Sequence, residues 1–182
     1  CPQSECTEYF VQQVEAKHRS SPGIHIVDVR SDTITTLNEL KPRVLAALES
    51  GAHACGCTSK HAWVGTPYAD MITNETLSAS YVLNAARIGR TVSDPRVSGH
   101  RVVGSTDMGN VSHHVPSIHP MVSVAPSGVG IHTPGFAEFA ASPTGDAGVI
   151  DGAKAMAMTI IDLWSSADSL KSVASDFQAS KR

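Results

Sequence analysis

The chain has 182 residues and a formal net charge of −3, with 41% hydrophobic, 17% charged and 5% aromatic residues. That balance excludes a polyanion-binding protein, so nucleic acid is not an expected partner, and the composition excludes coiled coil, collagen and a disulfide scaffold. No stretch reaches the roughly 18 uncharged apolar residues that span a bilayer, so no membrane is expected either.

Residues 1–23 are ambiguous. Phe10, Val11 and Val14 suit one side of a short helix, which Ser20-Ser21-Pro22-Gly23 would end. Ile24 to Val29 is a β-branched run and predicts a strand. Thr36 followed by Glu39 resembles a capping box, and Leu37, Leu40, Val44 and Leu48 continue at helical spacing to Gly51. Pro42 conflicts with one unbroken helix, so a start or a kink there is expected. Ala52 to Ser59 predicts a second strand, and Trp63 to Tyr68 a connection. Thr73 or Asn74 caps the next helix, whose stripe is Leu77, Tyr81, Ala85 and Ile88 and whose stop is Gly89. Residues 90–101 read as a loop. Val102-Val103 and Met121 to Ala125 read as short strands, the latter with Val122 and Val124 on one face. A long helix from about Val149 to Trp164 should bury Ile150, Ala153, Ala157, Ile160 and Trp164. A weaker last helix carries Leu170, Val173 and Phe177. Alternating strand and helix argue an α/β fold.

Four cysteines (Cys1, Cys6, Cys55, Cys57) are few for this length, and no basic-then-apolar leader follows Cys1. A reducing, cytoplasmic compartment is the expectation. Cys55-Gly56-Cys57 has no second pair to complete a tetrahedral metal site, so these cysteines read as structural.

Five histidines (His100, His113, His114, His119, His132) fall within 100–132, a region rich in Gly and Pro. They admit three readings: surface polarity, acid–base chemistry, or metal binding. A four-histidine module from His113, His114, His119 and His132 fits no known ligand spacing. Residues 104–112 (GSTDMGNVS) are the most unusual segment. Its glycines allow close backbone approach, and Asp107 suits a ligand amine or a neighbouring imidazole. Equally, Ser105 and Asp107 suit satisfaction of their own turn. The segment is neither a phosphate loop nor a hydrolase elbow.

Gly104 to Pro120 (GSTDMGNVSHHVPSIHP), with GIHTPGFAEFAAS at 130–142, closely resembles the C-terminal part of the aminoacylase/carboxypeptidase G family of zinc metallopeptidases. The branch it is most similar to is the beta-alanyl-lysine dipeptidase, or aminoacylase-1-like, type. The resemblance covers about Ile24 to Trp164. It implies a catalytic α/β domain built on a mixed sheet with flanking helices and holding two zinc ions. It also implies an inserted α+β lid that forms homodimers. Residues 24–64 would be the end of the lid, 65–182 the C-terminal part of the catalytic domain, and 1–23 stay unassigned. Ser105, Thr106, Asp107, Asn110 and Ser112 match the substrate-binding loop, and His132 matches the last metal ligand.

In such enzymes two metals lower the pKa of a bridging water and a glutamate acts as general base, which hydrolyses the amide of a dipeptide or N-acyl amino acid. The family's His-x-Asp and Glu-Glu pairs do not occur in these 182 residues. The chain is therefore expected to supply one zinc ligand and no catalytic residue, and to be inactive alone. The alternative is a non-catalytic, dimerising or regulatory remnant of the family. Either way it should expose apolar surface that a complete domain would cover.

Overall fold

A computed structural model describes residues 6–16, 23–93 and 105–181. Val102-Val103 and His100 lie outside them. The protein mixes helix and strand, in keeping with an α/β reading, and its chain divides into two compact units. The first comprises the described residues up to 72 together with 105–114, and the second comprises those of 73–93 and 115–181.

The first unit is built on a three-stranded sheet. Strand β1 (Cys6–Ala16) lies between β2 (Gly23–Ser31) and β3 (Cys57–Tyr68), antiparallel to both. The helix expected near Phe10–Val14 is thus a strand. A short apolar run has no period long enough to separate the two, and here two flanking partners decide. Pairing runs from Cys6 opposite Ser31 to Val14 opposite Gly23, and from Thr7 opposite Tyr68 to Ala16 opposite Cys57, with a register irregularity between Thr7 and Tyr9. β3 begins later than expected and absorbs Trp63–Tyr68. Pro67 is tolerated because β3 is an edge strand.

Helix α1 (Ile34–Ala54) joins β2 to β3 and packs on the sheet. Its capping box lies one turn earlier than Thr36/Glu39. The Thr33 hydroxyl accepts from the Thr36 amide at 3.2 Å, and the Thr36 hydroxyl accepts from the Thr33 amide at 3.2 Å. The helix passes through Pro42 and beyond Gly51, and ends before Gly56, whose φ of 65° suits only a residue without Cβ. Pro42 forfeits one helix hydrogen bond at a cost of about 3 kcal/mol. The offset comes from Val29 and the fully buried Leu37, wrapped by Val27, Ile34, Leu40, Val44, Leu45, Leu48 and Trp63. Cys55 and Cys57 are free thiols at the turn between α1 and β3 rather than neighbours on one strand. The remainder of this unit, the short helix α3 (Met108–Ser112), belongs to the candidate site.

The regular structure of the second unit is helical among its described residues, apart from one parallel bridge between Thr73 and Ser117. Helix α2 (Glu75–Arg87) is capped by Asn74, whose Oδ1 accepts from Leu77 at 3.0 Å and whose Nδ2 donates to the Val173 carbonyl at 2.9 Å. Its Tyr81 and Ala85 are buried as the stripe predicts, and Gly89 follows with a φ of 80°. Helices α4 (Pro134–Ala140), α5 (Pro143–Trp164) and α6 (Ala167–Ser180) complete the unit. α5 packs against all three others.

The expected strand at 121–125 is not formed. Val122 and Val124 do share a face, and both meet α5 at Gly148 and Gly152, but they pair with no strand among the described residues. The buried face of α5 also differs from expectation. It carries Gly145, Gly148, Gly152, Ala155 and Thr159, whereas Ile150 and Ile160 are exposed and Trp164 is 80% exposed. Small residues let the backbone approach: a Cβ at Gly148 would fall 2.4 Å from Val124 Cγ1. The bulkier stripe cannot enter that space and forms an apolar outer face with Val149, Met156 and Ile161. The expectation of exposed apolar surface is met by this helix. No helix among the described residues is long and apolar enough to cross a membrane.

Candidate functional site

The loop resembling a substrate site is stitched to residues 67–72 within the first unit. Asn110 carries most of the register. Its Oδ1 accepts from the Ala69 amide at 2.8 Å and its Nδ2 donates to the Pro67 carbonyl at 3.0 Å, so one side chain replaces a pair of ladder bonds. Two residues on, the Ser112 hydroxyl accepts from the Ile72 amide at 2.9 Å and donates to the Gly109 carbonyl at 2.6 Å. Ser112 is 0% exposed, so its hydroxyl is fully committed to the backbone. Gly109 sits against the same segment, and a Cβ there would lie 1.8 Å from the Ala69 carbonyl oxygen.

Ser105 and Thr106 are half-buried and Asp107 is exposed. The Thr106 hydroxyl accepts from the Met108 amide at 3.3 Å and approaches Asp107 Oδ1 at 3.4 Å. Asp107 precedes α3 without capping it. The turn is therefore held by Thr106, and the Asp107 carboxylate stands at the surface. Asn110 and Ser112 hold the loop to residues 67–72, and the Asp107 carboxylate is exposed beside the Thr106 hydroxyl.

His113 was one of the five histidines in the sequence cluster. Its Nε2 lies 3.0 Å from the Asp70 carbonyl and 3.7 Å from Asp70 Oδ1, and Oδ1 also accepts from the Ile34 amide at 3.1 Å. Asp70 and the whole 67–72 platform escape sequence reasoning, because they have no periodicity and their partners lie some forty residues away. The two-glycine spacing of the loop was the available signal.

His132 belongs to the second unit and is exposed. Its φ of 63° is left-handed, the one such case outside glycine among the described residues. Imidazole residues enter that region more readily than β-branched ones, yet still at a cost of about 1–2 kcal/mol. The neighbouring Thr133 enforces the turn: its hydroxyl donates to the Gly130 carbonyl at 2.8 Å and accepts from the Phe136 amide at 3.2 Å to cap α4. His132→Gly is expected to stabilise the chain by about 1 kcal/mol and His132→Val to destabilise it by a similar amount, read as opposite shifts in a urea midpoint.

Among the described residues no three of His, Cys, Asp and Glu converge in a way that could hold a metal ion. The four histidines of the module considered from sequence divide between the two units, His113 and His114 in the first and His119 and His132 in the second. His132 is the single zinc-ligand candidate, and the described side chains do not by themselves fit a zinc site.

Comparison with known proteins gives the site its context. No family model matches the chain. It is 31% identical over 134 residues to a mouse Xaa-Arg dipeptidase, covering 74% of this chain. It is 28% identical over 149 residues to the human Xaa-Arg dipeptidase, covering 82%. The chain is similar to dipeptidases over most of its length. It spans about a third of those relatives, 31% of the mouse dipeptidase and 34% of the human one. The likeness is to hydrolases, and it extends well beyond the segments 104–120 and 130–142 that first carried the resemblance.

Proposed function

We propose that this chain carries the substrate loop and one metal ligand of an amide-hydrolysing site, in the aminoacylase/carboxypeptidase G family and near its beta-alanyl-lysine dipeptidase branch. The observation that carries this reading is the similarity to two Xaa-Arg dipeptidases across at least 134 residues, including a loop whose anchoring uses its own Asn, Ser and Gly. The substrate class is a dipeptide or N-acyl amino acid. The relatives' name suggests dipeptides ending in arginine.

In this reading residues 24–64 end a lid domain and 65–182 belong to the catalytic domain with its zinc-peptidase sheet. Ser105, Thr106 and Asp107 meet the substrate, and Asn110 and Ser112 fix the loop from behind. An exposed carboxylate at Asp107 suits the protonated amine of a dipeptide. Zinc is the proposed metal, with His132 one of its ligands. Since these 182 residues contain neither the His-x-Asp nor the Glu-Glu pair of the family, the chain alone is proposed to be inactive.

A titration with alanyl-arginine, followed by backbone amide NMR of the 182-residue chain, tests the loop assignment. Shifts should concentrate at Ser105–Met108, and Asp107→Asn should weaken binding about tenfold, the usual worth of a charged hydrogen bond. Shifts elsewhere, or Asp107→Asn binding unchanged, would overturn it.

The second reading, a dimerising remnant in a cytoplasmic setting, is favoured by one feature. β2 is an edge strand, and Ile24 and Ile26 on it are 69% and 75% exposed. A homodimer paired through the first unit would cover them.

A further inference from the structure

The second unit contains a cavity of about 240 Å³ that the peptidase reading does not use. Among the described residues it is lined by α2, by the turn through Arg90–Val92, by Met121–Ser123 and by Asp151–Ala155 of α5. Its walls mix apolar side chains, Ile88, Val92, Val122 and Ala155 among them, with as much polar surface. Two polar features interrupt them. Arg90 Nε donates to Asp151 Oδ2 at 2.8 Å, and Arg90 Nη1 donates to the Ser123 carbonyl at 3.0 Å. Tyr81 also lines the cavity. It is 4% exposed, and its hydroxyl has no hydrogen-bond partner among the described residues.

A buried phenol with no partner costs about 1–3 kcal/mol, so a native core tolerates one where something else supplies the acceptor. Burial pushes the Tyr81 pKa up, against the opposing pull of Arg90, so the hydroxyl stays protonated and remains a donor. The charge of Arg90 is already met by Asp151 at ion-pair distance. A carboxylate guest would face Asp151, and an ammonium guest would face Arg90. What remains unmet among the described residues is one neutral donor, beside the apolar side chains of Ile88, Val92 and Val122. A cavity of about 150 Å³ takes benzene, so this one has room for about six carbons.

We propose that this cavity is a binding site for a small neutral amphiphile, a short apolar chain ending in an acceptor oxygen such as an alcohol, taken up by the Tyr81 hydroxyl between α2 and α5. The site is independent of the loop at 105–112.

The test uses 1-hexanol on the 182-residue chain, with hexanoate and hexylammonium as charged counterparts. Hexanol should raise the melting temperature saturably and shift amide signals at Ile88–Val92 and Met121–Ser123. Both charged counterparts should bind at least tenfold more weakly. Tyr81→Phe keeps the ring and removes the unmet hydroxyl. It should melt higher than the parent without ligand, yet bind hexanol about tenfold more weakly. A merely structural tyrosine would not separate those two signs. Hexanol shifts confined to the apolar outer face of α5, equal binding of the charged counterparts, or Tyr81→Phe binding hexanol as tightly as the parent would each overturn the proposal.

Discussion

Gly109→Ala should destabilise the first unit by about 3 kcal/mol or more, one of the largest single-residue effects expected in the chain. The added Cβ would stand 1.8 Å from the Ala69 carbonyl oxygen and 2.8 Å from its carbon. Those atoms are backbone, so no rotamer change relieves the overlap. The loop must lift from residues 67–72, and lifting breaks the Asn110 and Ser112 bonds together. The Ile72 amide would then lose its Ser112 partner, which adds to the steric cost. Urea unfolding of the variant should show a much lower midpoint, with amide protection lost at Ala69 and Ile72. An unchanged midpoint would mean that the loop is not seated on that segment.

Leu37→Ala should cost about 2–5 kcal/mol, the range for emptying a fully enclosed leucine site. Leu37 is 0% exposed and stands where α1 meets β2 and β3, among seven partly buried apolar neighbours. The variant leaves a cavity that a sheet on one side and a capped helix on the other cannot readily collapse. Leu37→Met, which nearly conserves volume, should cost less than about 1.5 kcal/mol. Equal losses for the two substitutions would show that shape, not volume, governs the site.

The parts of the fold legible in sequence are those where local chemistry and packing agree. Asn74, the Tyr81/Ala85 stripe and Gly89 define α2 almost completely, because cap, face and stop are all local signals. β2 is legible from its β-branched run. α1 is legible in kind but misplaced at its start. Thr33 with Thr36, and Thr36 with Glu39, are both hydroxyl residues followed three places on by a polar one, and only tertiary contact chooses between them.

α5 shows where a hydrophobicity pattern misleads. Its strongest apolar stripe, through Ile150, Ile160 and Trp164, faces outward, and its core face is made of glycines and Ala155. Periodicity identifies a helix with two distinguishable sides, but which side packs depends on how closely a neighbour must approach. At Gly148 and Gly152 the neighbours are Val122 and Val124.

The candidate site was legible in its residue types rather than its geometry. The segment 104–112 stands out by composition, and Asp107 in it is exposed. The inward roles of Asn110, Ser112 and Gly109 come from pairing with residues 67–72, which no local pattern encodes. His132 was singled out by resemblance alone, and its left-handed backbone is a feature no spacing rule foretells.

These 182 residues are proposed to hold part of an amide-hydrolysing site whose remaining metal ligands and general base they do not contain. The direct measurement is dipeptide turnover by the purified chain in the presence of added zinc. No hydrolysis above the zinc-only control is expected. Stoichiometric zinc uptake with turnover that is lost on changing His132 to Ala would contradict it.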